Sequence, residues 1–279
     1  MNSQSIILGT AQFSGSYGLT NERRQFSIEE VTSILTLATK NKITRFDTAI
    51  SYPGVYSILS KALLAQSEDP IKLATKFAFK GISSEKFYEQ LQFSRDYFPS
   101  AEIEIVFVHD WNDLDQLDFR TIKEISKGFP EIKLGVSIYE PQDLKEISES
   151  AISFSVMQIP FSVLNQSFVP YLPRIEEKGI EIWTRSLFLQ GAIDWNSYRN
   201  TFADHPSIVK LKKLGEELNA SPFEIALDFV KEFSLNSVIG VATSSQLGEI
   251  INILDLPSFG VDYKSFASTD KRLIDPREW

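Results

Sequence analysis

Four side chains able to take part in proton transfer stand close to the ends of apolar runs in the first half of the chain. Asp47 lies in TRFDTA (44–49), Lys76 in IKLATKF (71–77), and His109 ends EIEIVFVH (102–109). Tyr52 follows shortly after the first of these runs. Taken singly, each has an ordinary structural explanation: a capped turn, a lysine at a sheet rim, a buried histidine and a packed ring. Together they could protonate an oxygen that gains negative charge.

The four side chains complement one another chemically. A lysine at the edge of a core is costly to desolvate without an anionic partner, and Asp47 offers that partner to Lys76. An ammonium group near Tyr52 would favour the phenolate and lower the pKa of the phenol, which suits a general acid. His109 could donate a hydrogen bond to the substrate oxygen. We therefore expect a catalytic group suited to an oxygen that gains charge as hydride arrives at the adjacent carbon.

Predicted strands and helices, which would position these residues, alternate regularly along the chain. Apolar runs occupy 5–11, 44–49, 71–77, 102–109, 133–138, 154–160, 180–187 and 237–242, and helical patterns lie between them. Two helices begin with capping boxes, SIEE at 27–30 and SPFE at 221–224. Nearly continuous hydrophobic strands are typical of a parallel sheet covered by helices. The pattern predicts an α/β fold, a (β/α)8 TIM barrel with a parallel eight-stranded barrel, forming a single domain over 1–279.

A doubly wound sheet is the main competing fold. It would more often carry a glycine fingerprint at its first turn, and the chain has no G-x-G-x-x-G. In a barrel, the catalytic residues stand at the carboxyl ends of the strands, which is where the four candidates are expected. The longest excursion, 188–236, follows the seventh run and could shape a pocket.

Composition excludes several classes of function. The net charge of -9 over 279 residues argues against sequence-independent nucleic-acid binding. With no cysteine and two histidines, the chain is not expected to form disulfides, thiolate sites or a metal centre. The start of the chain lacks the features of a signal peptide, and no apolar run approaches the length of a membrane span. We expect a cytoplasmic protein without a nucleic-acid or membrane partner.

The spacing of the first two candidates resembles a known family. The segment Asp47-Thr48-Ala49-Ile50-Ser51-Tyr52 matches the D-T-A-x-x-Y motif of the aldo–keto reductase superfamily, whose catalytic tetrad is Asp, Tyr, Lys and His. Lys76 and His109 match the strand-end lysine and histidine. The resemblance covers nearly the whole chain, through LGTAQF, GVSIYEPQDL (135–144), QIPFSVLNQ (158–166), TRSLFLQGAI (184–193) and VIGVATSSQLGEI (238–250).

The resemblance implies an NAD(P)H-dependent oxidoreductase that reduces an aldehyde or ketone to an alcohol, or performs the reverse reaction. Hydride would come from nicotinamide C4, with Tyr52 as general acid or base and a small carbonyl or alcohol as substrate. By position, Ser137 and Gln158 would hold the nicotinamide amide. Arg185 takes the place of an aromatic residue that stacks on the ring in many relatives, and Ser186 would lie near the pyrophosphate.

Further cofactor contacts are implied after the eighth strand, where a helix begins at TSSQLGEI. Thr243, Ser244 and Gln246 would lie at its start, a place suited to phosphate. Gly240 and Gln246 replace the basic residues of the 2′-phosphate pocket, although Arg199 could supply a cation. The cofactor is therefore NADP(H) or NAD(H), with the 2′-phosphate preference open.

Other questions also stay open. Tyr56 replaces a glutamate that is common in relatives, and Phe13, Trp111 and Trp183 are candidates for the substrate pocket. The alternative function is a nicotinamide-binding regulatory or subunit protein with little turnover. The physiological substrate, the direction of the reaction and the oligomeric state do not follow from the sequence.

Overall fold

Eight parallel strands form a closed barrel in the computed structural model, which describes residues 5–15, 17–18, 25–65 and 70–278. Neighbouring strands pair in chain order, and β1 pairs with β8 to close the barrel. The strands β1 to β8 are Ile6–Gly9, Arg45–Asp47, Ile71–Phe77, Ala101–Val108, Lys133–Ser137, Val156–Pro160, Glu181–Arg185 and Asn236–Gly240. Each of the eight predicted runs overlaps one strand, with β4 and β8 beginning one residue before their runs, so the predicted barrel is confirmed.

Helices cover the outside of the barrel. The helices α1 to α10 are Ile28–Lys40, Val55–Leu64, Ser84–Tyr97, Gln116–Gly128, Asp143–Ser150, Leu172–Glu176, Pro206–Leu218, Pro222–Lys231, Ser244–Leu254 and Lys271–Ile274. Apolar side chains on their inner faces pack against the strands in one large cluster that includes Leu35, Leu59 and Phe229. Since both faces of the sheet are covered, the strands read as nearly continuous hydrophobic runs rather than alternating ones.

Both predicted capping boxes are present. The hydroxyl of Ser27 accepts from the amide of Glu30, and the carboxylate of Glu30 accepts from the amide of Ser27. Ser221 and Glu224 make the same reciprocal pair at the start of α8, with Pro222 in the first helical position. These caps satisfy amides that have no partner inside the helix, and they place the starts of α1 and α8.

A smaller apolar cluster fills the interior of the barrel. Its members are Ile7, Ala74, Ile105, Phe107, Val156 and Trp183. The ring of Phe107 lies so close to β5 that a Cβ atom on Gly135 would stand 2.5 Å from its Cδ1 atom. Glycine at 135 is therefore required by the packing of Phe107, because no real Cβ contact is that short.

Charged side chains lie where the strands begin. The guanidinium group of Arg45 donates to both carboxylate oxygens of Glu181, at 2.8 and 3.4 Å. Glu181 also accepts from Nε1 of Trp183 at 2.8 Å and from Asn236 at 2.9 Å. This network holds the end of the barrel opposite the strand carboxyl termini, where polar groups serve stability rather than chemistry in this fold.

Within the described ranges, no helix has the length and apolar character needed to cross a membrane. The same residues contain no cluster of three or more histidine, cysteine or acidic side chains that could hold a metal ion.

Candidate active site

The barrel brings the four predicted catalytic residues to one end. Asp47 is the last residue of β2, Lys76 is near the end of β3, and His109 follows β4 directly. Tyr52 lies in the loop between β2 and α2, and its amide donates to the carbonyl of Ala49 in a tight turn. Because parallel strands end at the same mouth of the barrel, residues distant in sequence converge there.

Asp47 and Lys76 form a buried ion pair. Nζ of Lys76 lies 2.6 Å from Oδ1 and 2.5 Å from Oδ2 of Asp47, and it also donates to the carbonyl of Thr48 at 3.2 Å. The side chains are 3% and 6% exposed. Nε2 of Gln158 donates to Oδ1 of Asp47 at 3.1 Å, which holds the carboxylate from β6. The pair is thus fixed by further hydrogen bonds, as a buried ion pair requires.

Tyr52 stands beside this pair without bonding to it. Nζ of Lys76 lies 5.5 Å from the centre of the Tyr52 ring, and the Tyr52 hydroxyl makes no hydrogen bond to any residue that the structure describes. Burial, followed by the charge of Asp47, raises the pKa of the Tyr52 phenol above its ordinary value. This is the opposite of the sequence expectation. The reason is that burial penalises the phenolate and that Asp47 offsets part of the charge of Lys76, so the phenol stays protonated at neutral pH.

His109 faces Tyr52 edge to face. The two ring centres are 6.4 Å apart, with an angle of 79° between the ring planes. Burial, followed by the charge of Lys76, lowers the pKa of His109 to about 4. The imidazole is therefore neutral at neutral pH and keeps one N–H group that can donate a hydrogen bond.

A cavity of about 110 Å³ lies at this end of the barrel and is lined by Asp47, Tyr52, Gln158, Arg185 and Ser186 among others. It adjoins a cleft of about 640 Å³ that runs to the start of α9 and includes Thr243, Gln246 and Glu249. Six residues line both spaces: Gln12, Tyr17, Phe188, Gln190, Gly191 and Gly240. The cavity and the cleft therefore form one continuous, elongated site.

The structure places the predicted cofactor residues along this site, with two exceptions. Gln158, Arg185 and Ser186 line the cavity, and Thr243 and Gln246 line the cleft. Ser137 is buried next to Gln158 in the sheet and lines neither space. Ser244 also lies outside the lining of both, although it starts α9.

The start of α9 retains free amide groups. Thr243 Oγ1 accepts from the amide of Gln246 at 3.1 Å, and Gln246 Oε1 accepts from the amide of Ala242 at 2.8 Å. Among the described residues, the amides of Ser244 and Ser245 have no partner, so they can bind an anion together with the helix dipole.

Several residues at the site were not predicted from the sequence. Tyr17 and Gln12, from the segment after β1, line both spaces, and burial raises the pKa of Tyr17 to about 12. Ser186 and Gln190 adopt positive φ angles of 61° and 51°, a backbone path that the sequence does not signal for these residue types. The glycines at 15 and 18 are the local sequence signal near Tyr17, and both adopt positive φ angles, 76° and 102°.

The pocket candidates Phe13, Trp111 and Trp183 belong to the core instead. Trp111 stacks on Phe119 with ring centres 4.8 Å apart, and Trp183 packs inside the barrel. All three are almost fully buried, and none lines the cavity or the cleft.

Tyr56 also has a structural role. Its hydroxyl is paired with Thr75 at 2.6 Å and Ser94 at 3.1 Å, which joins α2 to β3 and α3.

Solved structures share this fold. The glycerol dehydrogenase AKR11B4 from Gluconobacter oxydans is 16% identical, with a TM-score of 0.71 over 94% of this chain and 89% of that chain. The holo form of the aldo-keto reductase AKR11C1 from Bacillus halodurans is 16% identical, with a TM-score of 0.72 over 94% and 90%. An aldo/keto reductase from Brucella melitensis is 18% identical, with a TM-score of 0.67 over 94% and 93%. At these identities the likeness shows the fold alone.

Sequence comparison identifies the family. A search of the curated proteins finds no match. The model of the aldo/keto reductase family matches residues 5–270, which is nearly the whole chain. The chain therefore belongs to the aldo/keto reductase family, a family of oxidoreductases that use NAD(P)H.

Proposed function

We propose that this protein reduces an aldehyde or ketone to an alcohol, or oxidises the alcohol, with Tyr52 as the proton donor or acceptor. One observation carries the proposal. The protonated Tyr52 hydroxyl lacks a protein partner among the described residues and lines a cavity beside the fixed Asp47–Lys76 pair. A phenol in that state can donate its proton to a substrate oxygen.

The surrounding side chains support the proton transfer in different ways. The neutral imidazole of His109 donates a hydrogen bond to the carbonyl oxygen and orients it toward Tyr52. The ammonium nitrogen of Lys76 lies 5.5 Å from the centre of the Tyr52 ring. At that distance it stabilises the negative charge that develops when the phenol gives up its proton. Asp47 holds the ammonium of Lys76 in place. In the reverse direction the same groups accept the alcohol proton.

The continuous site fits a dinucleotide. Its cavity end holds the amide of Gln158 and the hydroxyl of Ser186, and its cleft end holds the free amides of α9. A Cβ atom at Gly240 would stand 3.0 Å from Cγ of Gln12, so glycine keeps the passage between the two ends open. Within this proposal, Gln158, Arg185 and Ser186 contact the nicotinamide half, and Thr243, Ser244 and Gln246 hold the phosphates. Ser137, which lies beside Gln158 in the register of β5 and β6, joins Gln158 in holding the nicotinamide amide. When bound, the nicotinamide supplies or accepts the hydride.

The charge of the cleft favours NAD(H) over NADP(H). The described residues that line it include Asp194 and Glu249 and no lysine or arginine. A 2′-phosphate would meet carboxylates instead of the charge-assisted donors that it needs, whereas a 2′-hydroxyl can donate to a carboxylate. We infer that the form without the 2′-phosphate binds more tightly.

The test combines binding with turnover. Purified protein is titrated with NADH and NADPH by tryptophan fluorescence and then assayed with a panel of aldehydes and ketones. The Tyr52→Phe variant should keep its dinucleotide affinity and lose turnover by at least about a hundredfold, the lower end of the contribution of general acid catalysis. Turnover that survives in this variant would refute the proposed role of Tyr52. Binding by the wild type without turnover of any substrate would instead favour a regulatory or subunit protein.

A further inference from the structure

The side chain of Arg185 lies at the mouth of the barrel, in the same small cavity as Asp47, Tyr52 and Gln158. One of its terminal nitrogens donates to the carbonyl of Ile138 at 3.1 Å, and the other makes a long contact of 3.5 Å with the Ser186 hydroxyl. Its guanidinium carbon lies 4.1 Å from the centre of the Tyr139 ring. A backbone carbonyl and an aromatic face therefore hold the group, rather than a carboxylate.

No described carboxylate neutralises Arg185 by a salt bridge. Arg277, and to a lesser extent Arg185, lowers the pKa of the Asp275 carboxyl. Both oxygens of Asp275 are already engaged, since they accept from Arg277 at 2.6, 3.0 and 3.1 Å. Arg185 thus differs from Arg277, which packs on the same Tyr139 ring at 3.8 Å but pairs with Asp275 and also reaches Glu140.

The four candidate catalytic groups at this end of the barrel leave the positive charge of Arg185 uncompensated. The charges of Asp47 and Lys76 cancel within their pair. His109 is neutral because burial lowers its pKa, and Tyr52 keeps its proton because burial raises its pKa. Among the described groups around the Tyr52 hydroxyl, Arg185 is therefore the source of net positive charge.

We propose that Arg185 binds an oxyanion in the cavity, and that this oxyanion is a carboxylate carried by the carbonyl substrate. The substrate class is then the oxo acids, in which a ketone or aldehyde and a carboxylate share one short molecule. A guanidinium group has five N–H donors in a planar fork that matches a carboxylate. The described hydrogen bonds of Arg185 go to the Ile138 carbonyl and the Ser186 hydroxyl, so other donors are available to a ligand. This inference rests on the proposed function, because it assigns the substrate of the same site.

A phosphate oxygen of the dinucleotide is the second source of the same chemistry. The free amides of Ser244 and Ser245 already offer an anion site at the start of α9, which belongs to the larger cleft. Arg185 stands in the smaller cavity with Tyr52. This separation favours the substrate as the source of the oxyanion, and the experiment distinguishes the two sources.

The first arm measures substrate selectivity. Wild type, Arg185→Gln, Arg185→Lys and Arg277→Gln are assayed with pyruvate against pyruvamide, and with succinic semialdehyde against its amide. The ratio of kcat/KM for acid over amide should fall by about tenfold or more in Arg185→Gln, since a charge-assisted hydrogen bond is lost. Arg185→Lys should retain part of the ratio. Arg277→Gln, which removes the other guanidinium from Tyr139, should retain all of it.

The second arm measures binding without turnover. Calorimetry follows NADH, and separately the non-reducible acid oxamate against neutral oxamide, in wild type and Arg185→Gln. Arg185 is also proposed to contact the nicotinamide half, so its variant can lose some affinity for NADH. A greater loss of affinity for oxamate than for oxamide or NADH supports the proposal. Weaker NADH binding with an unchanged acid-to-amide ratio would assign the oxyanion to the dinucleotide and overturn the substrate class. No change in either ligand would overturn oxyanion binding by Arg185. If wild type reduces other carbonyls of the panel but none of these four, the oxo-acid class is overturned and the proposed function stands. If it reduces no carbonyl at all, the proposed function fails, and the oxamate titration still decides the role of Arg185.

Discussion

The ammonium group of Lys76 bonds to both carboxylate oxygens of Asp47, at 2.6 and 2.5 Å, in a pair that is almost completely buried. This relationship explains the state of the neighbouring phenol. Tyr52 is buried, and Asp47 offsets part of the charge of Lys76. Both effects raise the pKa of the Tyr52 phenol. The resting site therefore holds a phenol rather than a phenolate, and Lys76 acts on the charge that develops during the reaction.

The first prediction concerns this ion pair. Lys76→Met or Asp47→Asn alone should lower the free energy of unfolding by about 3–5 kcal/mol, because each leaves a buried charge without its partner. The double variant Asp47→Asn/Lys76→Met should recover much of this loss but remain inactive, since the charge that supports Tyr52 is absent. Urea unfolding and turnover measure the two effects. Additive losses of stability in the double variant would contradict the pairing.

The second prediction concerns His109 and pH. The pKa of His109 is about 4 in the folded protein and about 6.5 when unfolded, so the unfolded chain binds more protons between these values. Stability should therefore rise with pH through this window and fall as the solution is acidified toward pH 4. The contribution lost is on the order of 3 kcal/mol.

The matched control for this prediction is His109→Gln, which lacks the titrating group. The difference in unfolding free energy between wild type and the variant should depend on pH within the window from about 6.5 to about 4. Other titrating groups cancel in that difference. A difference that stays constant with pH would show that His109 is not buried as a neutral group.

The third prediction concerns the cofactor. Wild type should bind NADH more tightly than NADPH, because the described residues that line the cleft include Asp194 and Glu249 and no lysine or arginine. Ala242→Arg adds a guanidinium to the same lining and should shift the ratio of dissociation constants toward NADPH by about tenfold or more. Ala242→Gln, a long neutral side chain, is the control. Tighter binding of NADPH by wild type would mean that another part of the chain supplies the cation.

The fourth prediction concerns the packing beneath the site. Gly135→Ala should destabilise the barrel by about 1–3 kcal/mol, since the new methyl group would overlap the Phe107 ring. Replacing that ring with a smaller side chain in Gly135→Ala/Phe107→Leu should relieve the overlap. The loss of stability in the double variant should therefore be smaller than the sum of the losses in the two single variants. Gly128→Ala, where a Cβ atom meets nothing within 4 Å, tests substitution without overlap. Thermal unfolding gives all four values.

The periodic hydrophobic runs were sufficient to predict the barrel. The strands are short and are followed by helices, and capping boxes mark the starts of α1 and α8, so local sequence and global fold agree. The strand ends then identified Asp47, Lys76 and His109, because the barrel fold itself dictates where strand ends point. The short distance along the chain from Asp47 to Tyr52 made the fourth member visible.

The state of those residues was not predictable in the same way. The sequence expectation paired Lys76 with Asp47, but for the pKa of Tyr52 it considered only the charge of Lys76. It left out the burial of the phenol and the opposing charge of Asp47. The burial of Phe13, Trp111 and Trp183 was also missed, because an aromatic residue near a strand end has the same sequence signature whether it lines a pocket or fills a core.

By itself, the sequence determined the family, the order of strands and helices and the chemical types gathered at the barrel mouth, since these depend on residue identity and on spacing along the chain. Only the tertiary structure decided which charges cancel, which groups keep their protons and that Arg185 has no carboxylate partner among the described residues. Those properties depend on distances between residues far apart in sequence and on how deeply each is buried, because Coulomb energies and desolvation both vary with position in space.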